Sequence, residues 1–324
     1  MSIPIESNHP IELEAPDISA YKCGNIGIDY VHEFDSGKNG PHVMISAIVH
    51  GNELCGAVAL DHLFRNEVRP NKGKLSLAFM NYIAFQRFNP ENPKESRFVE
   101  EDFNRLWTKE VLNSERDSLE LRRAREICPH LDKIDFLLDI HSMQNNKIPL
   151  VLSGPLKKGR NFAKKLGISE LVITDSGHKS GRRMRDYSDF SNPSSKKNAL
   201  LIECGQHWQK ESAMLAIDFS WRFLWKTGVI KEEKAVQFQI NHKLPEKQRF
   251  IEVNSLYTIK TESFRFVKNF VGLEIIEKAG TTIGYDGDEA IKTPHDDCIL
   301  IMPTHRKTIG NTAVRFGKFI LKLD

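Results

Sequence analysis

Short apolar runs alternate with helix-spaced segments through the first two-thirds of the chain, and several of these runs end on a histidine or glutamate. Residues 42–49 (HVMISAIV) read as a strand, mostly apolar and rich in β-branched side chains. Leu54, Ala57, Val58, Leu60, Leu63 and Phe64 then recur at helical spacing. Residues 74–82 (KLSLAFMNY) predict a second strand, and 115–127 a charged surface helix closed near Pro129. Residues 134–140 (IDFLLDI), 150–152, 171–174 and 199–204 (ALLIEC) are further strands, before a Trp-rich helical stretch over 208–225. Apolar strands alternating with helices imply a sheet covered on both faces, hence an α/β fold. The polar tract 226–247 reads as a linker. From Phe250 onward, short alternating segments punctuated by Gly280, Gly284 and Gly287 predict a smaller β-rich unit, with a turn at Asp286-Gly287. The expected division is an α/β domain over 1–230 and a β-rich C-terminal domain over 245–324.

Composition excludes several classes. The 324 residues are 40% hydrophobic and 27% charged, an ordinary soluble balance, and the net charge of +3 is too small to argue for nucleic acid. No apolar run approaches the roughly 18 residues of a membrane span. The start, Met1 to Glu6, lacks the basic and apolar regions of a secretory leader. Five cysteines at uneven spacing, with no CxxC, argue against a disulfide framework or a thiolate metal site; a cytoplasmic protein is expected. A homo-oligomer is compatible with all of this.

The chemistry concentrates at strand ends, where ligands gather in open α/β sheets. His50 stands where the first strand ends, and Glu53 opens the following helix, with Gly51 between them allowing a sharp turn. A second HxxE, His9 to Glu12, has no strand before it. His141 follows the apolar residues 136–140 in the same way. Two nearby ligands and a distant third, drawn from His, Glu and His, form the pattern of a catalytic zinc with a fourth position left for water. Asp139 is a candidate to orient the His141 imidazole. Glu203 ends the strand 199–204, where an unpartnered carboxylate is costly to bury, so it is a candidate general base and acid. Asn104 and Arg105 form an adjacent amide and guanidinium pair, with Arg97 eight residues upstream, a set suited to an anionic substrate.

Four linked segments, HGNE at 50–53, RFVEEDFNR at 97–105, DIHS at 139–142 and IECG at 202–205, resemble the succinylglutamate desuccinylase and aspartoacylase family, relatives of zinc carboxypeptidases. The likeness covers roughly residues 42 to 210. It implies a carboxypeptidase-like α/β/α sandwich whose β-rich C-terminal domain helps shape the site. By the same resemblance His50, Glu53 and His141 would bind one Zn2+ per chain, and Glu203 would be the general base and acid. Arg97 would polarise the scissile carbonyl, and Asn104 and Arg105 would hold a substrate carboxylate. Two departures stand out. Residues 204–208 read CGQHW where aspartoacylases carry a Gly-Pro-Gln run, and Pro193 stands where they place an additional substrate arginine. Arg182, Arg183 or Arg185 could substitute for that arginine.

The expected reaction is hydrolysis of the amide bond of a small anionic N-acyl amino acid. A zinc carboxypeptidase acting on peptides would use the same metal and glutamate. A non-catalytic zinc protein would need a fourth protein ligand, and His178 and His207 read as ordinary loop histidines. No GxSxG supports an α/β hydrolase.

Overall fold

Central strands that are buried on both faces must be covered on both faces, and here one sheet of eleven strands meets that demand across both parts of the chain. The computed structural model describes residues 9–144, 148–178, 180–240, 245–304 and 308–321. In chain order the strands are β1 (Val31–Asp35), β2 (His42–Ala47), β3 (Lys74–Phe79), β4 (Phe136–Met143), β5 (Leu150–Leu152), β6 (Leu171–Thr174) and β7 (Asn198–Gln206). They continue as β8 (Arg249–Thr258), β9 (Arg265–Phe266), β10 (Ile275–Ile276), β11 (Thr282–Asp286), β12 (Glu289–Lys292), β13 (Cys298–Ile301) and β14 (Thr312–Phe319). The large sheet runs β1-β3-β2-β4-β7-β5-β6-β8-β14-β13-β10, and β12-β11-β9 form a small second sheet.

Strands β3, β2, β4 and β7 are mutually parallel, so their carboxyl ends share one edge. Val43, Ile45 and Ala47 of β2 join one apolar cluster with the helices Leu54–Arg65, Lys157–Leu166 and Lys210–Lys226. Met44 points the other way, into a cluster with Leu121, Ala124 and Ile127 of the helix Leu119–Leu131. The result is the expected α/β/α layering. Among the described residues no helix is long and apolar enough to cross a membrane.

Boundaries differ from expectation for identifiable reasons. The charged helix begins at Leu119, because Ser118 Oγ accepts from the Leu121 N–H at 3.0 Å and caps it. It continues through Pro129 to Leu131 rather than closing there. A proline in the last turn removes only one hydrogen bond. The polar tract after Lys226 contains the helix Glu232–Phe238, held to the core through the buried Ala235; residues 241–244 of that tract lie outside the described residues. The C-terminal part is β-rich as expected, yet β8, β14, β13 and β10 extend the central sheet, with β8 parallel to β6. The Asp286-Gly287 turn joins β11 to β12, with Gly287 in the left-handed region (φ 61°).

Candidate metal centre

The centre is assembled where β2 and β4 end. Chain direction changes sharply after β2. Ile48 adopts φ 54°, a sparsely populated conformation for a β-branched residue, of a kind that costs about 1–3 kcal/mol and clusters at functional sites. The turn then closes with the Glu53 N–H donating to the His50 carbonyl at 3.1 Å, which puts both side chains on one side. Gly51 serves close approach rather than a left-handed turn. A Cβ there would lie 2.4 Å from the Ala84 carbonyl carbon and from the Ser96 carbonyl oxygen.

Glu53 sits between two imidazoles, with Oε1 2.7 Å from His50 Nδ1 and Oε2 2.9 Å from His141 Nδ1. All three residues are buried, and one ligand atom from each falls within 4.8 Å of the others. The far nitrogen of each ring meets a carboxylate. His141 Nε2 lies 2.9 Å from Asp139 Oδ2, as the sequence predicted, and Ser46 Oγ holds the other Asp139 oxygen at 2.8 Å. His50 Nε2 lies 3.0 Å from Asp102 Oδ1, a partner the sequence reading missed. The same nitrogen is 2.9 Å from Arg97 Nη2. The two contacts require opposite tautomers: a protonated Nε2 donates to Asp102, a bare one accepts from Arg97.

Electrostatics follow from this packing. Burial resists charge on Glu53, but His50 and His141 hold it well below the usual carboxylate range. Burial likewise opposes a charged His141, yet Asp139 and Glu53 outweigh it and hold the imidazole well above its ordinary value. Glu203, in the C-terminal half of β7 and paired with His141 of β4, behaves oppositely. Burial, and then the Glu53 charge, push it up to about 8, and its Oε2 is buried without a hydrogen-bond partner. Two neighbouring carboxyls with an orphaned oxygen, and two Nδ1 atoms turned to one carboxylate, are what a divalent cation would relieve. The three-residue set His50, Glu53 and His141 fits zinc with one position left open.

Arg97, Asp102 and Arg105 side chains are 22, 19 and 23% exposed and form the wetter wall of the site. Arg97 and Arg105 lie 3.4 and 3.7 Å from Asp102 Oδ2. Burial, with Arg97, Arg315 and Arg183 nearby against Asp102, lowers Arg105 to about 10. Asn104 is turned inward, its Oδ1 accepting from the Met184 N–H at 2.9 Å. Of the arginines considered as substitutes, Arg182 is exposed and two are neither solvated nor free. Arg183 binds Asp175 (2.8 Å) and Asp186 (2.6 Å), and Arg185 donates to Asp186 and to the Ser153 and Ala199 carbonyls. His178 is no ordinary loop residue. Burial and the neighbouring Arg315, Arg105 and Arg183 hold it neutral, far below the usual imidazole value. His207 Nδ1 is hydrogen-bonded to Ser142 Oγ at 2.8 Å.

Fold and site together define an α/β protein with a buried His/Glu/His centre at the carboxyl ends of parallel strands. Residues 39–215 match the family model of the succinylglutamate desuccinylase/aspartoacylase catalytic domain, and the chain belongs to that family. A search of curated proteins by sequence finds no match. Among solved structures, the succinylglutamate desuccinylase of Vibrio parahaemolyticus is similar at a TM-score of 0.64 and 16% identity, covering 90% of this chain and 86% of that one. A succinylglutamate desuccinylase/aspartoacylase from Rhodobacter sphaeroides gives 0.61 and 17%, covering 88 and 87%. The product-bound ectoine utilization protein EutE (DoeB) of Ruegeria pomeroyi gives 0.57 and 15%, covering 86% of each chain. At these identities the likeness speaks to the fold.

Proposed function

We propose that the protein is a zinc-dependent hydrolase that cleaves the amide bond of a small anionic N-acyl amino acid, releasing a carboxylic acid and a free amino acid. The observation that carries this reading is the three-residue metal set with the raised, half-unpartnered carboxyl of Glu203 beside it. His50, Glu53 and His141 would hold the zinc ion, which when bound would supply Lewis acidity and make water at the site easier to deprotonate. Glu203 takes the proton of the attacking water and later delivers it to the leaving amine. With Nδ1 engaged, His50 keeps its proton on Nε2 and donates a hydrogen bond from it to Asp102, which frees Arg97 to donate to the carbonyl oxygen as that oxygen gains charge. Losing one such donor typically costs about 2.7–4 kcal/mol of barrier. Arg105 pairs with the substrate α-carboxylate, and Asn104, held through its Oδ1 to the Met184 N–H, supplies its amide N–H as a second donor to the same group.

In this reading residues 1–230 carry the catalysis, and the β-rich unit 245–324 completes the walls of the site. The five unpaired thiols support a reducing, cytoplasmic setting. The test combines metal analysis with a panel of N-acetyl, N-succinyl and N-formyl amino acids scored for amine release. About one zinc per chain is expected, lost in His50→Ala and in His141→Ala. Full zinc in both variants removes the metal assignment, and a panel with no amine released removes the activity.

A further inference from the structure

At the end of the sheet opposite the metal centre, a second cluster of ligand-bearing side chains has no part in the amide hydrolysis. His42 opens β2, the strand that His50 follows, and Ser76 lies near the start of β3. Glu33 stands directly opposite Ser76 on the antiparallel edge strand β1. Strand alternation puts His42 on the same face as Met44, beneath the helix Leu119–Leu131, whose last turn supplies His130. His42 and His130 are 8 and 4% exposed, and one ligand atom from each of Glu33, His42 and His130 falls within 4.8 Å of the others.

Hydrogen bonds account for only part of this packing. Ser76 Oγ is 2.8 Å from His42 Nε2 and 2.9 Å from His130 Nε2, and its single proton can serve one of them, the other ring donating to it. Glu33 Oε2 faces the rings at 3.6 Å from His42 Nε2 and 3.8 Å from His130 Nδ1. Both separations are too long for hydrogen bonds, yet within about half an ångström of the spacing between ligands on a tetrahedral zinc ion. Two imidazoles and a carboxylate suit zinc and other borderline divalent ions. With His130 ligating through Nδ1, its Nε2–H donates to Ser76 Oγ, the kind of outer contact that fixes a ligand ring. Lys74 opposes an ion here, because its Nζ holds Glu33 Oε1 at 2.8 Å. Its side chain is 42% exposed and can swing into water, but the competition makes this site weaker than the first.

We propose that Glu33, His42 and His130 form a second divalent-metal site, which takes Zn2+ or an ion of like preference more weakly than His50, Glu53 and His141 do. The bound ion ties the edge strand β1 to β2 and to the covering helix, so it acts as a strut for the rim of the sheet. It takes no part in the chemistry at the other end.

The experiment titrates Zn2+ into the full chain after gel filtration has removed loosely held metal, and follows binding by calorimetry and by Tm. The wild type should take up roughly one further ion per chain and gain Tm as it does so. Glu33→Gln and His130→Gln should each weaken that ion by about a hundred-fold or more, past the range for losing an outer contact to a ligand. Lys74→Met should tighten it by about two- to five-fold, the worth of a partly exposed charge, and misfolding cannot mimic such a gain. Glu203→Gln should leave it in place, which separates it from any ion lodged beside the first centre. No further ion in the wild type overturns the proposal. So does wild-type affinity in both Glu33→Gln and His130→Gln, weaker binding in Lys74→Met, or loss of the ion in Glu203→Gln.

Discussion

A carboxyl group buried within an apolar strand with one oxygen unpartnered is an unusual thing for a folded chain to keep. For Glu203 the raised proton affinity follows from burial and from Glu53, both of which penalise its charge. Glu203→Gln preserves shape and removes the proton relay. It should retain zinc and native circular dichroism while kcat falls by about 10²-fold or more, the range for lost acid–base catalysis. A variant with near wild-type turnover would exclude Glu203 from the mechanism. The site residues differ in how far they could be read from the chain. His50, His141 and Glu203 are legible because a polar, ligand-forming residue directly after an apolar strand breaks the local pattern. Asp139 is legible by its spacing to His141. Asp102 is not, because its partner His50 lies 52 residues upstream and only the folded loop brings them to 3.0 Å. Arg315 leaves no mark either. It is one buried position of β14, and nothing in the local sequence distinguishes it from a solvent-facing arginine. Arg183 and Arg185 were open to misreading for the same reason: their partners Asp175 and Asp186 could equally have been loop acids.

Between elements, polar links tie β2, β3 and the helix Leu119–Leu131 at the end of the sheet remote from the metal centre. Ser76 Oγ of β3 lies 2.8 Å from His42 Nε2 and 2.9 Å from His130 Nε2. Glu33 of β1 approaches His42 at 3.6 Å and is itself paired with Lys74 at 2.8 Å. Burial lowers His42 to about 4, with Glu33 opposing and His130 and Lys74 assisting. The folded state thus holds His42 neutral where the unfolded chain would protonate it. Stability is full above the unfolded value near 6.5 and declines as pH falls from there toward 4. Denaturation midpoints between pH 7 and pH 4 should fall less steeply for His42→Gln than for the wild type. Parallel curves would assign the acid sensitivity elsewhere. Strand and helix identities were legible from periodicity, whereas their ends were set by single contacts, such as the Ser118 cap, that periodicity does not encode.

At the level of the whole molecule, β8 lies against β6 in parallel register from Leu171↔Arg249 to Thr174↔Glu252, and β14 follows antiparallel on β8. The shared sheet means that the C-terminal part cannot be removed without leaving a wound. Ending the chain at residue 244 would strip the partner from β6, whose four residues Leu171, Val172, Ile173 and Thr174 are all buried. An uncovered row of backbone donors and acceptors on a β-branched, uncharged strand is a template for other chains. The fragment 1–244 should therefore go to inclusion bodies or bind hydrophobic dyes, and the full chain should unfold in one transition seen alike by fluorescence and circular dichroism. A soluble, monomeric fragment with its own sharp melting transition would contradict this. Where it holds, damage to the C-terminal strands becomes a solubility defect before it becomes a catalytic one, and the protein's half-life in a cell would be governed by how rarely that seam opens.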